Sequence, residues 1–254
     1  MNGLINLRLE QKKLKRRWMS LLFLTVFLLI GLWCLWSLSD LDLTSLNDPS
    51  AMLYLNLLLM NTILFPITAA ALACRMCDME QAGNTYKWLC TMEDAKEIYQ
   101  GKAALGALWI LFFFLGEFLL YQLLLQSLAE SFSLTAGLSL FFTSFMTGLC
   151  IFFLQLNLSM TCVNQLTPIF INIAGSFAGL FSWFLPQFPL CYFTPWGYFA
   201  ALCSTGYIYD QEARYTTYFW RNYPVFWLIF LTAFTFSLYW YGKKRFLTIL
   251  QETI

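Results

Sequence analysis

The sequence predicts an all-α integral membrane protein with six transmembrane helices. Three observations carry this expectation. The 254-residue chain is 59% hydrophobic and only 11% charged, whereas soluble domains average about 45–50% apolar and about 25% charged. Several uncharged stretches reach the ~20 residues that a helix needs to cross the hydrocarbon core. Thirteen of the fifteen cations fall in alternate connections. Mean hydropathy is +0.62. Aromatics make up 19% of the chain, which suits lipid-facing and headgroup-level surfaces. Such a composition excludes both a soluble globular chain and a disordered one.

The elements follow in order. In residues 1–17, Leu4, Ile5, Leu7, Leu9 and Leu14 are interleaved with Arg8, Glu10, Lys12, Lys13 and the run Lys15-Arg16-Arg17. Leu4 and Leu7 lie three apart, and Ile5 and Leu9 four apart, as one helix face requires. This predicts an amphipathic helix on the inner leaflet, its cations near anionic headgroups. A plain positively charged anchor is the alternative. The first span covers 18–38. Its apolar stretch is too long for a signal peptide and shows no small-residue cleavage site, so it is read as retained.

A short outer loop, 40–50, carries Asp40, Asp42, Asp48 and Pro49. The second span, 52–74, contains Pro66. A proline frees a backbone carbonyl that must be satisfied inside the protein, so a kink against neighbours is expected. Residues 75–102 mix charges with Met76, Met79, Trp88, Leu89, Met92 and Tyr99, and predict one or two short helices parallel to the membrane. The third span is 103–128, holding Glu117, and a tight turn over 127–135 carries Glu130. No charge occurs between Glu130 and Asp210. This leaves room for two spans, 136–160 and 168–185, separated by the polar, proline-closed run 161–168. Residues 186–223 are rich in proline and aromatics. Re-entrant hairpins dipping into the outer leaflet, with rings at headgroup depth, are expected there. The last span is 224–242.

An even number of spans returns both termini to one side. Six cations precede the first span, Arg75, Lys87, Lys96 and Lys102 lie between spans two and three, and Lys243, Lys244 and Arg245 follow the sixth. The alternate connections hold only Arg214 and Arg221. The positive-inside rule places both termini and the 75–102 loop in the cytoplasm.

Catalytic groups are scarce. The chain has no histidine, which removes His-based triads, HExxH zinc sites and histidine general bases. There is no GxxxxGK[ST] and no GxSxG, so neither ATP hydrolysis nor serine hydrolase chemistry is expected. Cys74 and Cys77 form a lone CxxC, which without a second pair or a histidine does not make a zinc site. Cys191 and Cys203 share the outer segment, where a disulfide depends on a distance that spacing does not give. Glu117 is the one charge deep in a predicted span. A carboxylate there costs about 2.5–3.5 kcal/mol, which makes it a functional candidate by default. The alternative is a packing contact between subunits or with Gln122, Gln155, Asn157 or Asn172. Gly175-x-x-x-Gly179 marks the fifth span as a close-packing surface.

At Glu80-Gln-Ala-Gly-Asn-Thr-Tyr-Lys-Trp-Leu89 the chain resembles type-2 ABC exporter permeases, and within them the lantibiotic-immunity permeases. That family carries an acidic residue, an Asn-Thr pair, an apolar stretch and a basic residue opening span three. Glu80, Asn84-Thr85, Trp88-Leu89 and Lys102 occupy those places here. Thr194-Pro-Trp-Gly-Tyr198 stands where the family has a Pro/aromatic outer motif. Met92-Glu93-Asp94 departs from the turn usual after the coupling helix. The resemblance covers the whole chain. It implies that Glu80, Asn84, Thr85, Tyr86, Lys87 and Trp88 couple to a separate ABC ATPase, present in two copies and holding ATP and magnesium. It also implies a second homologous permease or a self-dimer, and an amphipathic peptide substrate received by the outer segment, with Tyr192, Trp196, Tyr198 and Trp220 as substrate-facing candidates. No cofactor and no nucleic acid is expected in this chain. A permease for another hydrophobic substrate, or a non-transporting sensor or anchor, are the alternatives.

Overall fold

The computed structural model describes residues 9–14, 17–39, 48–83, 94–128, 133–162, 164–185, 189–210 and 215–253. Its long helices are α1 (Met19–Ser39), α2 (Pro49–Ala82), α3 (Ala95–Ser127), α4 (Leu134–Thr161) and α5 (Leu166–Phe184). After α5 come α6 (Leu190–Phe193), a 3-10 turn (Pro195–Gly197) and α7 (Tyr198–Ala201). An antiparallel hairpin of β1 (Thr205–Asp210) and β2 (Tyr215–Trp220) leads into α8 (Val225–Thr253). Six helices, α1 to α5 and α8, are long and apolar enough to cross a membrane. The protein is an all-α, multi-pass membrane protein, as its composition predicts.

Helix α1 buries only Met19, Phe23, Ile30 and Cys34. These recur at helical spacing, so one narrow stripe meets the protein, flanked by the half-buried Leu22 and Leu38, while Leu21, Leu24, Leu28, Leu32 and Trp36 face outward. Helix α2 is the opposite case and runs through the middle of the bundle. Its Leu53, Leu57, Leu58, Phe65, Ala69 and Leu72 are all fully buried. Phe65 packs on Phe114 of α3 at 4.7 Å between ring centroids and on Phe113 at 5.8 Å. Glycine permits this closeness at Gly148, where a Cβ would press on both Phe114 and Phe65.

The connection expected over 75–102 is shorter than that. Residues 75–82 continue α2, and α3 already begins at Ala95. Met76, Met79, Glu80, Gln81 and Ala82 are strong helix formers, and the helix stops at Gly83. Glu97 lies in the first turn of α3, where a carboxylate complements the helix dipole. Helices parallel to the membrane are therefore not what fills most of this stretch. Residues 84–93 lie outside the described ones.

Between α5 and α8 the hairpin is built of strands. Tyr207, Ile208, Tyr209, Tyr218 and Phe219 are aromatic or β-branched, which favours strand pairing. The register pairs Thr205 with Trp220 and Tyr207 with Tyr218. The hairpin packs back on the bundle through Trp220, whose ring stands edge-on to Tyr54 of α2 at 5.3 Å. Residues 9–14 are helical, with Glu10 and Leu14 buried and Leu9 exposed. A turn at residues 17–18 joins them to α1, with Trp18 in the left-handed region at φ 57°. Two ends result: one gathers residues 10–14, 17, 78–81, 99–102 and the far end of α8, the other carries the hairpin.

Candidate functional site

At the first of these ends, four charged side chains from three segments meet, three of them buried and the fourth, Lys13, 30% exposed. Glu10 and Lys13 come from the helical residues 9–14, Glu80 from the last turns of α2, and Lys102 from the start of α3. Lys102 is fully buried and Glu80 is 3% exposed. The Lys102 ammonium lies 2.9 Å from Glu80 Oε2 and 3.2 Å from Glu10 Oε2, and donates to the Met76 carbonyl at 2.7 Å. Lys13 Nζ lies 2.6 Å from Glu10 Oε1 and 2.8 Å from Glu80 Oε1. Arg17 and Asp78 pair beside them at 3.1 Å.

Two cations and two carboxylates balance, and each ammonium bridges both acids. A buried charge is tolerated under that condition. Burial opposes the ionisation of Glu80, but Lys102 and Lys13 outweigh it and hold the carboxyl below the usual carboxylate range. For Lys13, burial works against the charged form, while Glu10 and Glu80 together push the ammonium above its ordinary value. The arrangement clamps the N-terminal segment to both helices that flank residues 83–94.

Both oxygens of Glu80 face the two lysines, so it ties the helix ends together. Asn84, Thr85, Tyr86, Lys87 and Trp88 lie outside the described residues. Glu10 and Lys13 were not singled out by the sequence. The available signal was Glu10 itself, the lone acid among six cations in the first seventeen residues.

Inside the bundle, Glu117 is 1% exposed and accepts a hydrogen bond from Asn61 Nδ2 of α2 at 2.7 Å. Its partner is none of the four residues expected. Gln122 instead donates to the Ser133 carbonyl at 3.0 Å. Asn157 accepts from the Tyr99 hydroxyl at 3.1 Å and donates to the Leu238 carbonyl at 2.9 Å, which joins α4 to α3 and α8. Gln155 is fully buried beside Cys74. Asn172 donates to the Pro66 carbonyl and accepts from the Trp196 indole, so the proline turn of α2 is held by α5 and the 3-10 turn. Trp183 adds a hydrogen bond to Thr62 Oγ1 at 3.0 Å, one turn from the proline.

The four aromatic candidates behave differently from one another. Tyr192 stacks on Trp227 at 4.2 Å. Trp196 seats against Gly175, where any Cβ would overlap its indole. Tyr198 is buried and donates to the Tyr192 carbonyl at 3.2 Å. These three build the wall. Trp220 is the most exposed of the four, at 37%, and Tyr192 and Trp196 are half-buried. Gly175 and Gly179 serve close packing as their spacing implies, against Trp196 and Thr62. Cys191 and Cys203 are free thiols. Among the described residues, no group of three His, Cys, Asp or Glu side chains could hold a metal ion.

A family model described as ABC-2 family transporter protein matches residues 6–179, more than half of the 254 residues. The chain belongs to the ABC-2 transporter family. It is the membrane subunit of an ABC transporter, and membership implies a partner ABC ATPase. The matched region includes the charge cluster, Glu117 and the proline turn of this permease. It stops inside α5, so the short helices, the hairpin and α8 lie beyond it. Neither the curated proteins nor the solved structures yield a match to the chain.

Proposed function

We propose that this permease removes lantibiotic-like, amphipathic antimicrobial peptides from the bacterial cytoplasmic membrane. A separate ATPase in two copies, holding ATP and magnesium, drives it. A second similar permease, or a second copy of this chain, completes the path. Both termini and residues 83–94 face the cytoplasm, in keeping with the sorting of thirteen of fifteen cations to that side. Closure of the ATPase pair moves residues 83–94, and the motion enters α2 and α3 together.

The observation that carries this reading is the charge cluster. Lys102 and Glu80 join the two helices across residues 83–94 at 2.9 Å, and Lys13 and Glu10 add the N-terminal segment. A load on that connection cannot move one helix without the other. The aromatic density of residues 189–227 supports an amphipathic cargo, since rings suit the membrane interface.

The test is protection of a sensitive bacterium that expresses the permease with its ATPase. Glu80→Lys sets three cations against one acid and should abolish protection while membrane insertion persists. If protection and ATPase co-purification both survive that change, the coupling role is wrong. A chain that purifies alone in mild detergent, with no stoichiometric ATPase, points to a sensor or anchor instead.

A further inference from the structure

A cleft of about 350 Å³ opens where the start of α4 meets the hairpin. Ser133, Thr135 and Ser139 line it from α4, and Ser204, Arg221 and Tyr223 from the ends of the hairpin. Arg221 is fixed there by three contacts. Its backbone N–H donates to the Ser204 carbonyl at 2.7 Å. Its guanidinium carbon stands 5.0 Å from the centre of the Phe219 ring. It also lies over Gly206, where a Cβ would come within 2.7 Å of Nε. Among the described residues no carboxylate pairs with Arg221, and no acid lines the cleft.

One hydroxyl of the cleft wall is buried without a hydrogen-bond partner: that of Ser204, which is 4% exposed. A buried hydroxyl without a partner costs free energy, so a group that accepts from it is favoured. The Tyr223 hydroxyl is already held by Thr143 at 2.7 Å, which keeps that wall in place. The first turn of α4, a 28-residue helix, closes the cleft. Its amide end carries partial positive charge. The cleft thus offers a planar guanidinium fork, hydroxyl donors and a helix N-terminus, with no opposing acid among the described residues.

From this we infer that the cleft between α4 and the hairpin binds a phosphate-type oxyanion, either the headgroup phosphate of a phospholipid or a free phosphate. The guanidinium takes two oxygens, as its fork geometry favours. Ser204 donates to a third from the cleft wall. Donors converging from separate walls fit a tetrahedral anion better than a planar carboxylate. The site lies outside the region shared with the family model, which ends at residue 179, and it does not depend on which peptide the permease exports.

The test uses the full chain purified in mild detergent, with two probes. Native mass spectrometry follows retention of phosphatidylglycerol against phosphatidylcholine, and thermal shift follows addition of inorganic phosphate. The wild type should retain phospholipid through the detergent, show a phosphate-dependent rise in melting temperature, or both. Arg221→Gln and Ser204→Val should each abolish the response. Arg245→Gln, at the other end of the molecule, should leave it intact. Lipid retention without a phosphate shift assigns the site to headgroups, and the reverse assigns it to free phosphate. Arg221→Lys, which keeps charge but loses the fork, should weaken binding and covers the case of a Gln variant that does not fold. Binding that Arg221→Gln leaves unchanged, or that Arg245→Gln removes equally, overturns the inference, as does a wild type that binds neither probe.

Discussion

Replacing Lys102 by methionine tests the charge cluster most directly. Methionine keeps most of the side-chain volume and removes the ammonium. The Met76 carbonyl then loses its donor, and the buried Glu10 and Glu80 each lose the cation they share with it. Removing one partner from a buried ion pair costs about 3–5 kcal/mol, because the charge left behind has no compensation. That corresponds to an unfolding constant larger by about two to four orders of magnitude. Denaturation by SDS in mixed micelles, followed by tryptophan fluorescence, measures this. A companion variant replaces Glu10, Lys13, Glu80 and Lys102 together by leucine and methionine. Swapping a whole buried ion cluster for apolar groups of similar volume is often neutral or stabilising, so the fourfold variant should unfold less readily than the single one. A single variant within 1 kcal/mol of wild type, by order of magnitude, refutes the cluster as described. So does a fourfold variant that is the less stable of the two.

Three further outcomes are expected. Glu80 has a lowered folded-state value, so its contribution is present above the usual carboxylate range and lost as pH falls through the folded value. Lys13 is raised, so its contribution is complete below the ordinary lysine value and lost as pH rises through the folded one. Hydrogen exchange of residues 9–14 should therefore be slow at neutral pH and accelerate in strong acid and in strong base. Inside the bundle, Glu117→Ala leaves the Asn61 amide without its acceptor and should cost about 1–3 kcal/mol, while Glu117→Gln keeps an acceptor oxygen and should cost less. The same SDS titration compares them, and equal losses would contradict the Asn61 contact. Gly175→Ala drives a methyl into the Trp196 indole and should cost about 1–3 kcal/mol by overpacking. Combining it with Trp196→Phe should recover part of the loss in a double-mutant cycle, and strict additivity would count against that contact.

The helices were legible because lipid leaves few alternatives. A backbone in hydrocarbon must bond to itself, so a long uncharged run becomes a helix, and residues 19–39 or 134–161 needed no tertiary knowledge. Charge was misleading as a boundary mark. Arg75, Asp78 and Glu80 suggest that the second span ends near residue 74, yet α2 continues to Ala82 because its charges find partners across the bundle end. The hairpin was only half legible. Aromatic density marked residues 205–220 as different, but alternation in Tyr207-Ile-Tyr209 and Tyr215-Thr-Thr-Tyr218 is too short to separate strand from interfacial coil. The partner of Glu117 was invisible in principle. Asn61 lies 56 positions away on α2, and nothing in local spacing favours it over Gln155 or Asn172. Glu10 was hidden by its neighbours, since six cations around it read as a solvated face.

Helix α2 ties these features into one mechanical element. Going from its last turns toward its start, Glu80 bonds to the N-terminal segment and α3, Cys74 meets Ser159 of α4, and Pro66 is held by Asn172. Thr62 accepts from Trp183, Asn61 donates to Glu117, Asn56 reaches Ser37 of α1, and Tyr54 meets Trp220 of the hairpin. Its 34 residues span about 50 Å at 1.5 Å each. A helix transmits a push along its axis and yields where its backbone ladder is broken, which in α2 is the proline turn. That turn is also where α5 and the 3-10 segment are bonded to it. A displacement delivered at Glu80 therefore reaches Pro66 along rigid helix. There it either continues toward Tyr54 and the hairpin or is diverted through Asn172 into Trp196 and the aromatic wall. Either route ends at the face opposite the charge cluster, so the permease needs no further element to connect its two ends.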